Sequence, residues 1–282
     1  FNLSSDNALN SHLLPGLSTK GIPSDLTGTV LPFTYNNFEE IEELLQKNDC
    51  AAVIMEVERT YPPLPGYLQH IKELCIKHNT LLIFDETSSG FRETFGGLHK
   101  KYCIEPDICI FGKALGNGYA ITSIIGTRPV MEIAQETFIS STFWTERIGP
   151  SAALATLEIM SREKSWETVT NLGNFLRSEW SNLAQKYNLE LSINGLPALS
   201  GFSFKSKFNL EYKTLITQEM LKKGFLASNL CYLCTAHNRR LIKKYINHLD
   251  PIFSIIRDCE NGKSIFDFLD GKTCHSGFQR LN

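Results

Sequence analysis

Hydrophobic residues occur along the chain in two patterns that predict different elements. Three runs are almost continuously apolar: CAAVIME at residues 50–56, TLLIFDE at 80–86 and DICIFGK at 107–113. Continuous runs are typical of strands covered on both faces, as in a parallel sheet, whereas half-exposed strands alternate. A helical pattern at 67–78 separates the first two runs, and ITSIIG at 121–126 predicts a further strand. We therefore expect an α/β fold with a mainly parallel sheet.

Apolar residues at steps of three and four predict the helices. FEEIEELLQ at residues 38–46 places its apolar residues on one helical face. SAALATLEIMSR at 151–162 favours a helix, and a longer amphipathic pattern follows at 166–187. Residues 1–35 show no sustained periodicity and are expected to be irregular.

The second half of the chain shows a mixed pattern after Pro150. Strand-like pieces alternate there with helical patterns; the pieces are residues 189–193 and 202–205, and the helical patterns are 211–223 and 238–257. This alternation predicts an α+β lobe. We expect residues 1–163 to form part of a large domain and residues 164–282 to form a smaller C-terminal domain.

Composition and charge exclude several classes of protein. Of 282 residues, 42% are apolar and 21% are charged, which indicates a globular chain. Because 28 Lys and Arg nearly balance 30 Asp and Glu, there is no basic excess for binding nucleic acid. No membrane span or signal peptide is evident, so we expect a cytoplasmic protein that binds neither nucleic acid nor membrane. Since residue 1 is Phe, we expect the chain to begin inside a longer protein.

The eight cysteines do not predict a disulfide framework. Their spacing is irregular, which favours reduced thiols. Cys231 and Cys234 form one C-x-x-C motif with His237 close behind, a pattern that would suit zinc if further ligands completed it. No second motif does so, and we expect no bound metal.

Polar residues follow the predicted parallel strands at the points where those strands end. These residues are Glu56, the pair Asp85 and Glu86, and Lys113. Ligands of open α/β sheets gather at this edge, and a lysine buried there would be destabilised as an ammonium ion unless it were paired or functional. An amine and an acid at neighbouring strand ends are the pair that pyridoxal phosphate (PLP) chemistry requires. Each residue by itself has an ordinary explanation, as a helix cap or as a side chain reaching solvent.

The same run suits a second class of protein less well. LLIFDE could be the magnesium-binding strand of a P-loop ATPase, but that fold requires G-x-x-x-x-G-K-[ST]. The Gly-Lys pair that ends a predicted strand, Gly112-Lys113, is followed by Ala114 and does not match.

Three blocks together resemble a known family. IFDETSSGFRETFGG, PDICIFGKALGNG and STFWTERIGPSAALATLE occur in the order found in class III aminotransferases, which include the glutamate-1-semialdehyde aminomutases. Weaker similarity extends back to HLLPGLSTKG. The resemblance implies fold type I of the PLP-dependent transferases, and it implies that the N-terminal portion of the large domain, with its phosphate loop and stacking aromatic residue, is missing from this chain.

The resemblance assigns roles to five residues around the cofactor. Lys113 matches the lysine that forms the Schiff base with PLP, and Asp85 matches the aspartate that faces the pyridine nitrogen. Glu86 follows as in the family's Asp-Glu pair. Thr87 takes the place of a Val or Ile that packs on the ring. Ser88 stands where a longer Gln or Met contacts the ring hydroxyl.

Further residues are candidates for binding phosphate or substrate. Thr145 aligns with the threonine that holds the cofactor phosphate of the partner subunit, and it precedes a predicted helix whose N-terminus favours an anion. Simple helix capping is the alternative, and Thr142 is the second choice of residue. Glu56 and Arg92 are candidate substrate contacts. Arg147 and His237 could also reach substrate, although surface or interdomain ion pairing is the ordinary explanation for both.

The resemblance implies a ping-pong Schiff-base aminotransferase that uses PLP, a small amino donor and a carbonyl acceptor, and acts as a homodimer. Two alternatives remain open. The first is a 2,1-aminomutase, favoured by GFR followed by Gly96 and Gly97, although GNGYAIT departs from that branch. The second is a non-catalytic scaffold or partner subunit that lacks the cofactor.

Overall fold

The computed structural model describes residues 21, 23–26, 28–143 and 145–276. Most of the irregular stretch expected over residues 1–35, and nearly all of the HLLPGLSTKG similarity, lie outside these residues. The strands are β1 Ala52–Met55, β2 Leu81–Asp85, β3 Ile108–Phe111, β4 Ser123–Gly126, β5 Leu191–Asn194, β6 Leu199–Phe204 and β7 Leu230–Tyr232. The helices are α1 Phe38–Lys47, α2 Tyr67–Lys77, α3 His99–Tyr102, α4 Arg128–Ala134, α5 Ile148–Glu163, α6 Ser165–Lys186, α7 Asn209–Lys222 and α8 Arg239–Glu260.

Asparagine residues begin two of the helices. The Asn37 side chain accepts a hydrogen bond from the Glu40 backbone nitrogen at 3.2 Å, and Asn238 accepts one from Leu241 at 2.9 Å. These bonds satisfy amide groups that have no partner within the first turn of a helix. The boundaries of α1 and α8 therefore follow from local sequence, close to the predicted positions.

The first sheet has the order β1-β2-β3-β4, and its first three strands are parallel. β4 pairs antiparallel with β3 and forms an edge of the sheet. The predicted α/β fold with a mainly parallel sheet is thus confirmed. Short elements α3, α4 and β7 were not predicted, because each is too brief to show a clear periodicity.

Coverage of this sheet differs from the expectation. Val53, Leu82 and Phe84 are buried in a core with α1 and α2, but Ile54 on the opposite face is 55% exposed. The prediction that the apolar strands are covered on both faces is therefore wrong for the described part of the chain. The physical reason is that the described helices α1 and α2 pack on one face only.

The C-terminal lobe contains β5, β6 and β7 in one antiparallel sheet, with α6, α7 and α8 packed around a second core. Trp180 lies at the centre of this core. Its ring packs edge-on against Phe202 at 4.7 Å between centroids, and its Nε1 donates to the Tyr245 hydroxyl at 3.3 Å. The predicted α+β arrangement of this lobe agrees with the structure.

Between α5 and α6 the chain turns at Lys164, which has a left-handed backbone conformation with φ of 48°. The turn allows two long helices to follow one another without a loop. The second core draws its side chains from Val169 onward, while most of the first core lies before Lys164. The domain boundary at residue 163 stays a prediction, and the division into two cores supports it.

A turn at residues 195–198 joins the two cores. Leu196 is buried in the first core, the Gly195 nitrogen donates to the Thr60 oxygen at 2.9 Å, and the Ala198 nitrogen donates to Glu93 Oε1 at 3.1 Å. Arg177 on α6 holds the start of this turn by donating to the Gly195 carbonyl and to the Asn194 carbonyl before it, the latter at 3.1 Å. The lobes therefore share both apolar and hydrogen-bonded contacts.

In the described part of the chain, none of the helices is both long enough and apolar enough to cross a lipid bilayer.

We expect Glu93→Ala to lower the free energy of unfolding by about 1–3 kcal/mol, because it leaves the Ala198 amide without its acceptor. Chemical denaturation would measure the change. Glu132→Ala is the matched control, since Glu132 pairs with the exposed Arg128 and should contribute at most about 1 kcal/mol. Equal losses in the two variants would contradict the role of Glu93 at the junction.

Candidate active site

Parallel pairing of β2 and β3 brings two of the predicted residues to one edge of the sheet. Asp85 is the last residue of β2 and lies opposite Ile110, and the Glu86 nitrogen donates to the Ile110 oxygen at 2.9 Å. Lys113 begins a short turn directly after β3. The acid and the amine thus follow neighbouring strands at their carboxyl ends.

Lys113 is exposed, whereas the sequence argument expected a buried amine. Its Nζ donates to Ser88 Oγ at 2.5 Å, and Ser88 lies three residues beyond Asp85. The Lys113 backbone has φ of 41°, a left-handed conformation that is uncommon for a residue with a side chain. The end of β3 therefore holds Lys113 in an unusual backbone geometry that directs its amine to the β2 loop.

The loop after β2 fixes the carboxylate of Asp85. Asp85 Oδ1 accepts a hydrogen bond from the Thr87 nitrogen at 3.0 Å, which leaves Oδ2 without a hydrogen-bond partner among the described residues. Thr87 also packs against the end of β3, because a Cβ atom at Gly112 would lie 3.1 Å from its Cγ2 methyl. A glycine before Lys113 permits this close approach of the two strand ends.

Glu86 is fully buried and is bonded within the chain. Its carboxylate accepts hydrogen bonds from the backbone nitrogens of Leu98 and His99, the latter at 3.0 Å, and lies 2.6 Å from His99 Nδ1. The Ser89 hydroxyl is a further donor at 3.2 Å. These contacts favour a structural role for Glu86 in the interior next to the site. Its contact with a cofactor stays a prediction.

His99 is a residue that the sequence argument missed. Ligand atoms of Glu86, His99 and Cys109 all lie within 4.8 Å of one another in the interior. The three residues are separated by 13 and 10 positions in sequence, which matches no metal-binding motif, so no local signal identifies them. Burial, with the nearby Glu86 carboxylate, raises the pKa of the Cys109 thiol to about 12.

Arg92 is attached to the same loop residue as Lys113. Its Nε donates to the Ser88 carbonyl at 2.7 Å, while Lys113 binds the Ser88 hydroxyl. Burial lowers the pKa of the Arg92 guanidinium below its usual value. Ser88 therefore brings two cationic side chains together at the edge of the sheet, which the sequence did not reveal.

Glu56 follows β1 as predicted, and its carboxylate receives a hydrogen bond from Arg59 at 3.2 Å. In the residues that the structure describes, Glu56 makes no hydrogen bond to Lys113, Asp85 or Arg92. Its substrate role stays a prediction.

The start of α5 contradicts helix capping by Thr145, whereas the phosphate role of Thr145 stays a prediction. Thr145 and Thr142 are exposed, and neither caps the helix. Glu146 does so instead: its carboxylate accepts from the Gly149 nitrogen at 3.0 Å and from the Ile148 nitrogen. A negative group thus lies at the helix N-terminus, as the helix dipole favours, but it belongs to the protein. Trp144 lies outside the described residues.

The remaining two candidates for substrate contact are Arg147 and His237. Arg147 is exposed at the position before α5. His237 Nδ1 accepts from the Cys234 nitrogen at 3.0 Å and lies 3.4 Å from Cys234 Sγ. Burial raises the pKa of the Cys231 thiol to about 11, so Cys231 remains protonated near neutral pH.

A cavity of about 310 Å³ lies between the lobes, next to the turn that Lys113 begins. We call it the inter-lobe cavity. Its lining comes from the loop at Phe91 and Arg92, from the 114–119 segment, from one side of α5, from the beginning of α6 and from residues 233–235. Segments distant in sequence form its walls, so no single motif indicates it.

Comparison with protein families agrees with this geometry. Residues 27–252 match the family model described as aminotransferase class-III. The chain belongs to the class III aminotransferase family. The match contains every residue placed at the sheet edge above, and the family predicted from the sequence is confirmed.

Two curated relatives illustrate the range of the family. The chain is 32% identical over 232 residues to a 3-aminobutyryl-CoA aminotransferase of Cloacimonas acidaminovorans, which covers 75% of this chain and 55% of the relative. It is 26% identical over 263 residues to a glutamate-1-semialdehyde 2,1-aminomutase of Hyperthermus butylicus, with 85% and 62% covered. This class III chain therefore spans a little over half the length of these relatives.

Solved structures confirm the fold. The FumI protein of Sphingopyxis sp. MTA144, in its PLP internal aldimine form, matches with a TM-score of 0.81 at 23% identity, covering 88% of this chain and 62% of FumI. An acetylornithine aminotransferase of Elizabethkingia anophelis matches with a TM-score of 0.72 at 25% identity, covering 80% and 60%. The α/β fold of this class III chain is that of PLP-dependent transaminases.

We expect the free energy of unfolding to fall as pH rises above about 9, and Cys109→Ser to reduce that slope. The folded thiol keeps its proton up to about pH 12, whereas the unfolded thiol loses it near its ordinary value of 9.0. The unfolded state therefore binds fewer protons within this window, and stability is lost there at up to about 1.4 kcal/mol per pH unit. Denaturation curves between pH 8 and pH 11 would measure the slope.

Cys103→Ser, at an exposed cysteine, is the control and should leave the slope unchanged. A Cys109→Ser slope equal to that of the parent protein would contradict the assignment.

Proposed function

We propose that the protein is a PLP-dependent aminotransferase that moves an amino group from a small amino donor to a carbonyl acceptor. The observation that carries the proposal is the placement of Asp85 and Lys113 at the ends of adjacent parallel strands, with Lys113 Nζ 2.5 Å from Ser88 on the loop that follows Asp85. Membership of the class III family supports the same chemistry.

The residues at this edge fit PLP. Lys113 offers an exposed amine for the cofactor aldehyde, and Asp85 Oδ2, which has no partner among the described residues, suits a protonated ring nitrogen. The Thr87 methyl group and the Ser88 hydroxyl would contact the ring. When bound, PLP supplies an electron-withdrawing ring that stabilises negative charge on the substrate carbon.

Lys113 acts as both nucleophile and base in this proposal. Lys113 would hold the cofactor through its amine. When that amine is free, Nζ would accept the proton from the substrate carbon and then donate it back. The Ser88 hydroxyl holds Nζ in place between these steps. Asp85 Oδ2 would accept a hydrogen bond from the ring nitrogen and so hold the proton there.

The proposal includes a homodimer in which Thr145 contacts the cofactor phosphate bound to the partner. Thr145 is exposed, and large apolar side chains near α5 are exposed as well: Tyr119, Phe143, Ile148 and Leu154. Contiguous exposed apolar side chains often mark an interface. Glu146 occupies the first amides of α5, so the proposed phosphate contact relies on the Thr145 hydroxyl and its backbone amide. The cytoplasmic location stays a prediction.

We expect Lys113→Ala to abolish the borohydride-stable link between PLP and the natural full-length protein. The substitution removes the amine that forms the bond, and peptide mass spectrometry would locate the modified residue. Lys77→Ala, at an exposed lysine on α2, is the control and should retain the link. A link that persists in the Lys113→Ala protein would refute the assignment. A parent protein that remains colourless and takes up no added PLP would support the scaffold alternative.

A 2,1-aminomutase is a second candidate, because several relatives carry that name. The two activities differ in their need for an acceptor. We expect the purified protein to release more than one equivalent of product per site from an amino donor only when a separate keto acid or aldehyde is added. Chromatography of the amines, with and without acceptor, would measure this dependence. Product formed at full rate without an acceptor would instead establish the mutase.

A further inference from the structure

The inter-lobe cavity contains one charged side chain. Among the described residues that line it, Arg92 is the single ionisable group with a full charge at neutral pH, and no carboxylate faces it. The rest of the lining is apolar or neutral and includes Trp166, Ile159 and Met160. A cavity with one cation and an apolar wall suits a molecule with one carboxylate and a hydrocarbon chain.

Arg92 is well placed to receive such a carboxylate. Its Nε is fixed to the Ser88 carbonyl at 2.7 Å, and neither of its terminal nitrogens has a hydrogen bond or ion pair within the described part of the chain. Burial lowers the pKa of Arg92, because removing the guanidinium from water disfavours its charge. A bound carboxylate would restore the interactions that burial removes, and the planar guanidinium can hold both of its oxygens.

The position of Arg92 relates this cavity to the reactive amine. Arg92 and Lys113 bind the carbonyl and the hydroxyl of the same residue, Ser88. A substrate held by its carboxylate at Arg92 would therefore have its neighbouring carbon atoms near Lys113, with the remaining chain along the apolar wall.

We propose that the inter-lobe cavity is the substrate subsite, in which Arg92 binds the carboxylate of an aliphatic monocarboxylic amino or keto acid and Trp166 and Ile159 contact its hydrocarbon chain. This inference rests on the proposed aminotransferase function and narrows its substrate class. Dicarboxylates and diamines are disfavoured, because the described lining offers their second charge no partner.

The test uses unreactive ligands, so that binding is measured without turnover. Butanoate, pentanoate and hexanoate are titrated into the natural full-length protein, and the fluorescence of Trp166 is followed, with Trp166→Phe identifying its signal among the three tryptophans of the chain. We expect affinity to rise about fourfold with each added methylene, as apolar surface is buried. Glutarate and hexylamine should bind at least about tenfold more weakly than hexanoate.

Arg92→Gln should weaken hexanoate binding at least about tenfold through loss of the charged hydrogen bonds. Ile159→Phe, which fills part of the cavity from α5 without adding a tryptophan, should weaken hexanoate binding while leaving Arg92 intact. Arg128→Gln is the matched control, since Arg128 is 86% exposed on α4 and should not alter binding.

Hexanoate binding that is unchanged in both Arg92→Gln and Ile159→Phe would overturn the proposal, as would equal affinities for hexanoate and hexylamine. These outcomes are independent of the link between Lys113 and PLP. A protein that binds hexanoate through Arg92 but forms no link at Lys113 would contradict the aminotransferase instead. A protein that forms the link and ignores Arg92 would contradict the substrate class alone.

Discussion

The parallel pairing of β2 with β3 is the constraint on which the site depends. The hydrogen bond from the Glu86 nitrogen to the Ile110 oxygen sets the register at the sheet edge, and Asp85 and Lys113 occupy their positions as a result. A shift of one residue would turn the Asp85 side chain to the other face of the sheet, because side chains alternate along a strand. Backbone pairing, rather than any contact between the two side chains, brings the acid and the amine together.

The buried Glu86 carboxylate strengthens this arrangement from below. It connects the end of β2 to the backbone at Leu98 and His99, across a loop of several residues that contains Arg92. Buried carboxylates are destabilising unless donors surround them, and this one has backbone amides, a hydroxyl and an imidazole ring. The loop that presents Ser88 and Arg92 is therefore anchored at both ends.

Local sequence patterns predicted the elements and the strand-end residues well. The runs ending in Asp85 and Lys113 carry strong strand signals, and the positions of both residues follow from chain order alone. The contacts of Ser88, His99 and Glu146 could not be predicted, because each depends on segments that meet only in the folded protein. The expectation that both faces of the sheet are covered was wrong for a related reason: an apolar run shows which residues avoid water, but not which other segments shield them.

The inter-lobe cavity is a second feature that could not be predicted from local sequence patterns. Its walls come from both lobes, and neither Arg92 nor Trp166 indicates by spacing that they share a lining. The exposed amine of Lys113 likewise contradicts an argument based on burial, although its position at the strand end agrees with the prediction. The sequence therefore predicts where such residues lie along the strands, whereas their exposure and contacts depend on tertiary packing.

The turn at residues 195–198 has a consequence for how the two lobes can move. Leu196 lies within the first core while its neighbours belong to the second lobe, so separating the lobes would drag an apolar side chain into water. Wide swinging of one lobe away from the other is therefore energetically opposed. The width of the inter-lobe cavity would then be fixed before a ligand binds, and selectivity for ligand shape would arise from this preformed cavity.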